Sequence, residues 1–223
     1  MNSELETKTF MRVLVVTAVE AERDAVMRGL HDDQRFEVLV AGVGPVAAAA
    51  STARVLAVKE YDLVVAVGIA GGFSERAPMG SVVVASEIVA ADLGAETPEG
   101  FRSLDKLGFG FTRIQADQGL GMRLTQALRA SGLEVAHRPV LTVSTVTGTA
   151  ETASELAARV PGAAAEAMEG FGVAAAAQGS GVPVLELRAI SNPVGPRDRA
   201  SWRIEEALRA LETASTVLTE VLK

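Results

Sequence analysis

Cysteine is absent from this chain of 223 residues, which removes disulfides, thiolate nucleophiles and thiolate metal sites together. Histidine is nearly absent: only His31 and His137 occur, far apart in sequence, so no metal site and no cofactor is expected. Aromatic residues make up only 4% although 48% of the chain is hydrophobic, so the core must be built from Ala, Val, Leu and Ile. Such small side chains let helices approach a sheet closely. Positive charge is in deficit. A net charge of −7 leaves no basic face to displace counterions, which excludes a general nucleic-acid binder. No run reaches the roughly 20 uninterrupted apolar residues of a membrane span. Residues 1–10 are polar, of mixed charge, and lack the apolar core of a signal peptide. They read as a disordered lead-in, with one domain over residues 11–223, no membrane partner and a cytoplasmic placement.

What is present is an alternation of β-rich apolar runs with Ala-rich helical segments. Strands are expected at residues 12–17, 36–41, 62–67, 80–90, 134–144, 163–167 and 182–190. Helices are expected at 20–30, 45–59 with Pro45 in the first turn, 119–131, 151–159, 169–179 and 202–222. Residues 68–72 read as a glycine-rich turn and 91–110 as an irregular stretch. The Ala runs at 47–50 and 174–177 read as helix-packing surfaces. With no linker, repeat or charge block, the pattern implies a single three-layer α/β/α domain with a mostly parallel sheet. Ligands in such sheets collect at the carboxyl ends of the strands.

Gly42-Val-Gly44-Pro-Val-Ala47 follows a strand and opens a helix, matching G-x-G-x-x-A, a weak signal when alone. A dinucleotide site also needs an acid at the carboxyl end of the next strand, and Asp62 stands at the amino end of that one. Pro45 removes a backbone N–H from the turn that would cradle a pyrophosphate. A nicotinamide enzyme is therefore disfavoured, although the turn leaves backbone free to approach a small ligand.

Four segments in order carry a family resemblance: VVTAVEAE at 15–22, VAGVGPVAAA at 40–49, VGIAGG at 67–72 with GSVVV at 80–84, and AEAMEG at 165–170 with RAISN at 188–192. Together they resemble the nucleoside phosphorylase and nucleosidase superfamily over nearly the whole chain from Met11. Within it the chain is similar to methylthioadenosine/S-adenosylhomocysteine nucleosidases and, closer still, to futalosine hydrolases, on VSTVTGT at 143–149 and SNPVGPRDRASW at 191–202. The resemblance implies a mixed, partly barrel-like sheet, a homo-oligomer, and cleavage of futalosine to hypoxanthine in a menaquinone pathway, with water as co-substrate. Futalosine carries a carboxyphenyl group on its 5′ side.

Hydrolysis of an N-ribosidic bond passes through a ribosyl cation. It needs a positioned water, negative charge near the sugar, and hydrogen bonds to the departing base. By resemblance, Glu20 is the general base, with Glu22 as a decoy in the same turn; the bland reading of Glu20 is a first-turn acid favouring the helix dipole. Glu169 is expected to accept hydrogen bonds from the ribose hydroxyls while Met168 packs on the sugar, and Glu166 to lie out of reach. Asn192, where the methylthioadenosine nucleosidases carry Asp, is expected to bond the base, braced by Arg188 and Ser191; an Asn-Pro turn is its plain alternative. Ile69, Thr145, Gly148 and Thr149 are expected to line the substrate site, with Gly148 standing where nucleosidases often place an aromatic. Arg197 or Arg199 is expected to meet the substrate carboxylate, the alternative being a solvated pair with Asp198. Phe101, Phe109 and Phe111 either close the pocket, over a partner subunit's site, or pack in the core. Three rivals remain: a methylthioadenosine/S-adenosylhomocysteine or aminodeoxyfutalosine nucleosidase, a purine nucleoside phosphorylase with Arg76 as its nearest phosphate-binding cation, and a non-catalytic nucleoside-binding module.

Overall fold

The computed structural model describes residues 10–223. The lead-in expected over residues 1–10 lies outside them except for Phe10. Every side chain of β1 (Val13–Thr17, VLVVT) is buried, as befits a strand covered on both faces. Along the chain follow α1 (Glu20–Leu30), β2 (Phe36–Val40), α2 (Pro45–Leu56), β3 (Leu63–Gly72), β4 (Val82–Ala90), β5 (Gly94–Thr97), β6 (Gly100–Ser103) and β7 (Arg113–Gln115). Then come α3 (Gln118–Ala130), β8 (Val135–Thr142), α4 (Ala150–Arg159), β9 (Ala165–Ala167), α5 (Gly170–Gly179), β10 (Val184–Pro193) and α6 (Ile204–Val221).

The strands β3, β10, β4, β8 and β9 pair successively and β9 returns to β3, closing a five-stranded ring of mixed direction. β1 extends the sheet from β3 in parallel and β2 continues it. Helices α1, α3 and α6 cover one face through Val26, Leu30, Leu124, Leu128 and Leu211. On the other face α2 and α5 lie together, and the expected Ala runs supply their contact through buried Ala48, Ala174 and Ala177. Each fully buried Val or Leu stabilises the fold by about 1.5–3 kcal/mol relative to exposure. The result is the expected three-layer α/β/α domain with a partly closed sheet.

Three local expectations differ. Residues 68–72 are strand, because β10 pairs along one side of β3 and β9 along the other, giving the glycines partners that local sequence does not announce. The stretch expected to be irregular contains the β5–β6 hairpin. Finally, β10 runs on to Pro193, with an irregularity between Ile190 and Asn192, so Asn192 sits in a strand and not in an Asn-Pro turn.

Candidate active site

The carboxyl ends of β1, β3 and β10 converge with β9 on a cavity of about 490 Å³. This is where a parallel α/β sheet leaves a crevice.

The first acid at this cavity is Glu22 and not Glu20. Glu20 is 67% exposed in its side chain and pairs with Arg23 on the outside of α1, which removes it from the pocket. Glu22 is buried and lines the cavity. Its Oε2 accepts from the N–H groups of Ala18 (2.9 Å) and Val19 (3.3 Å), which otherwise lack partners at the helix start. Its Oε1 accepts from Ile69 N–H at 2.9 Å. Three backbone donors from two elements thus fix one carboxylate. The helix gives the reason: Glu22, Ala25, Val26, Gly29 and Leu30 are its buried residues, spaced i, i+3, i+4, i+7, i+8.

Glu169 caps the start of α5 and is 8% exposed. Its Oε1 accepts from Gly44 N–H at 3.1 Å, so the glycine turn 42–47 presents its backbone to a protein carboxylate. Its Oε2 meets Nη1 of Arg188 at 3.4 Å. Arg188 is 1% exposed and also donates from Nε to Oε1 of Glu186 at 2.8 Å. Burial pushes the Glu186 carboxyl above its ordinary value against the pull of Arg188, and its Oε2 has no partner among the described residues. The Arg188 guanidinium and the Glu22 carboxylate crowd the same spot over Gly68, where an added Cβ would stand 2.5 Å from Nη1 and 2.7 Å from Oε1 of Glu22. One permanently charged arginine therefore sits among three carboxylates and holds like charges together.

Across the cavity, Ser191 donates from Oγ to Oδ1 of Asn192 at 2.8 Å, and Asn192 donates from Nδ2 to Pro193 O at 3.0 Å. With one Nδ2 hydrogen given to Pro193 O, the second Nδ2–H is free to donate into the cavity. Glu166 also lines the cavity, buried in β9. It accepts from Thr147 N–H at 2.9 Å and from the Thr147 hydroxyl. Burial raises its carboxyl above the usual range, opposed by the Thr147 hydrogen bonds and reinforced by Asp92.

The mouth is formed by residues 194–202. The guanidinium carbons of Arg197 and Arg199 lie 5.1 and 5.7 Å from the centre of the Trp202 ring, and all three residues line the cavity. Asp198 does not pair with either arginine: its side chain accepts from Ala200 N–H instead. Both cations lack a carboxylate partner among the described residues.

Of the expected site residues, the structure gathers Ile69, Met168, Glu169, Ser191, Asn192, Arg197 and Arg199 around this cavity. It does not bring in Thr145, Gly148 or Thr149. Thr149 caps α4 by accepting from Thr152 N–H, and the Gly148 carbonyl accepts from Arg197 N–H; Val146 and Thr147 line the cavity in their place. Arg76 does not line the cavity and is bonded to Ala163 O at 3.0 Å. Phe109 is 77% exposed, Phe111 meets Phe171 at a tilt with ring centres 5.9 Å apart, and Phe101 lies under Arg159; none of the three lines the cavity. Sequence reasoning set Glu22 aside as a decoy and Glu166 as out of reach, and gave Trp202 no role, whereas all three line the cavity. An acid inside an apolar helical stripe and another inside the buried run AAAEAM were the available signals.

The chain matches the family model described as the phosphorylase superfamily over residues 3–223. It is 52% identical to futalosine hydrolase of Streptomyces coelicolor, over 96% of this chain and 97% of that protein. It is 41% identical to futalosine hydrolase of Thermus thermophilus, over 80% of this chain and 79% of the other. Among solved structures, S-adenosylhomocysteine nucleosidase of Streptococcus pyogenes superposes with a TM-score of 0.81 at 20% identity, covering 96% of this chain and 98% of that one. Futalosine hydrolase of Helicobacter pylori does so at 0.78 and 18%, covering 95% and 97%; these two likenesses speak to the fold. By full-length identity, the chain belongs to the futalosine hydrolase family of the phosphorylase superfamily.

Proposed function

We propose that this protein hydrolyses the N-ribosidic bond of futalosine, releasing hypoxanthine, as a step in menaquinone biosynthesis. The observation that carries the reading is one cavity with two anchored carboxylates, Glu22 and Glu169, facing the amide of Asn192. The near-full-length futalosine hydrolase relatives supply the substrate.

In this reading Glu22 takes the role expected of Glu20. Water attacking a ribosyl cation needs orientation more than a strong base, and a carboxylate fixed by three N–H groups orients it and accepts its proton. Glu169 accepts from the ribose hydroxyls beside Met168, and its charge stands near the developing cation. Arg188 holds Glu22 and Glu169 in proximity despite their mutual repulsion. The free Nδ2–H of Asn192 donates to the acceptor edge of the base, N7 and O6, where negative charge accumulates. Arg197 and Arg199 bind the substrate's carboxylate across the Trp202 ring.

Phosphorolysis is less well supported. Arg76 is bonded elsewhere, and the other cation deep in the site, Arg188, is committed to glutamates. No helix among the described residues is long and apolar enough to cross a membrane, and we place the enzyme in the cytoplasm. Exposed Phe109, Phe111 and Leu93 give a second copy an apolar surface, which supports a homo-oligomer. The test of function is incubation with futalosine, aminodeoxyfutalosine, methylthioadenosine and inosine, with and without phosphate, followed by identification of the free base. Hypoxanthine released fastest from futalosine, independently of phosphate, is the expected result; adenine released fastest from methylthioadenosine would overturn it.

A further inference from the structure

Glu166 is a buried carboxylate facing the cavity for which the hydrolytic mechanism has no use. Its position follows from the sheet. Gly71 of β3 is paired on one side with Asn192 of β10 and on the other with Glu166 of β9. The three residues form one row across three strands, and its outer members are two strand spacings apart, roughly 9–10 Å. Gly71 puts no side chain between them. A Cβ there would lie 3.0 Å from Val194 Cγ2 and 3.2 Å from Nδ2 of Asn192, so Val194 and the Asn192 amide close over the glycine and leave no room for a larger residue, while Val194, Asn192 and Glu166 all line the cavity. The row thus makes a slot whose two ends carry opposite hydrogen-bonding characters: an amide donor at Asn192 and a carboxylate acceptor at Glu166.

A flat heterocycle held in the cavity between Asn192 and Glu166 meets both ends. A 6-oxopurine presents acceptors at N7 and O6 and, next to them on the six-membered ring, a donor at N1–H. A 6-aminopurine has a bare lone pair at N1. Glu166 already accepts both hydrogens that Thr147 offers, from its N–H and its hydroxyl. The Thr147 N–H is therefore not free to serve an N1 acceptor, whereas each carboxylate oxygen retains a lone pair for another donor.

We propose that Glu166 is a specificity-determining residue that accepts a hydrogen bond from N1–H of the purine, selecting 6-oxopurine over 6-aminopurine nucleosides. This rests on the nucleosidase reading of the cavity. The contact exists in the bound substrate and does not strengthen as the base departs, since negative charge gathers at N7 and O6. Glu166 thus acts on binding and Asn192 on bond breaking.

The experiment compares futalosine, its N1-methyl derivative and aminodeoxyfutalosine on the wild-type enzyme and on Glu166→Gln, with kcat and KM separated. In Glu166→Gln the amide oxygen keeps one Thr147 bond and the NH2 group turns to the base. The kcat/KM for futalosine is expected to fall about 10- to 100-fold, mostly in KM, as for loss of a hydrogen bond to a charged group. That for aminodeoxyfutalosine should hold or rise. On the wild type, the N1-methyl derivative should lose a similar factor, a readout independent of how the variant folds. Equal turnover of futalosine and its N1-methyl derivative by the wild type overturns the proposal, as does an unchanged oxo-to-amino ratio in Glu166→Gln. A wild type that releases no hypoxanthine from futalosine overturns the functional reading together with it.

Discussion

Exchanging the carboxylate of Glu22 for an amide of the same shape tests the centre of the mechanism. The side chain accepts three backbone hydrogen bonds, two on Oε2 and one on Oε1. Gln offers one oxygen, so in either orientation its NH2 group faces a backbone N–H and at least one bond is lost. Loss of the capping role at the start of α1 costs about 1 kcal/mol. In a domain of this size that lowers Tm by about 2–4 °C, leaving the protein folded for assay. The catalytic loss is larger. Without a group to take the proton of the attacking water, kcat should fall about 10²- to 10⁴-fold while KM changes little. Glu20→Gln is the internal control, two residues away. It removes an exposed pair with Arg23 of the kind that contributes little, so activity and Tm should stay near the wild type. The assay is hypoxanthine release followed by liquid chromatography, with Tm measured on the same samples. Glu20→Gln losing as much activity as Glu22→Gln, or Glu22→Gln retaining near-normal kcat, would refute the assignment.

Replacing Arg197 and Arg199 together with Ala should raise KM for futalosine by at least tenfold and spare inosine. Because Trp202 is the sole tryptophan, quenching of its fluorescence on substrate binding reports the same contact directly. Asn192→Asp should shift the kcat/KM ratio toward the adenine substrate, because a protonated Asp offers one donor and one acceptor; the shift should grow as pH falls, measured with the two substrates in competition. Glu166, with its carboxyl raised by burial and flanked by Thr147 and Asp92, gives a pH dependence of its own. Above its raised value it is an ionised acceptor for N1–H, and as pH falls through that value it gains a proton and becomes a donor. The wild-type preference for the 6-oxo substrate should therefore weaken toward acid, and that trend should vanish in Glu166→Gln.

Much of the site was legible because local rules and a family pattern agreed. Met168 and Glu169 stand where a short buried strand turns into an Ala-rich helix, and Asn192 lies at the carboxyl end of an apolar strand. The loop from Pro196 to Ser201 shows its two arginines beside a tryptophan in plain sequence. The residues misplaced or missed share a different property, namely that several geometrically distinct positions satisfy the same local pattern. Thr145, Gly148 and Thr149 lie in a segment without regular periodicity, where one residue of shift decides which side chain faces inward. The structure chose Val146 and Thr147 because Glu166, distant in sequence, holds Thr147 by two bonds.

The sequence by itself determined the strand–helix alternation, the small-residue core and the family, since these depend on composition, period and ordered motifs. Only the tertiary structure puts Glu22 on the cavity and Glu20 outside it. Residues two positions apart on an α-helix point about 200° apart, so one faces out and the other in, and which is which depends on the packing of α1 against the sheet and α6. It likewise decided that residues 68–72 are strand. Glycine lacks the side chain that marks a strand in sequence, and the hydrogen bonds that make it one come from β9 and β10, more than 90 residues further along the chain. The same long-range pairing puts Asn192 and Glu166 at the two ends of one slot. No local pattern encodes a distance between residues on strands joined only by the closed sheet.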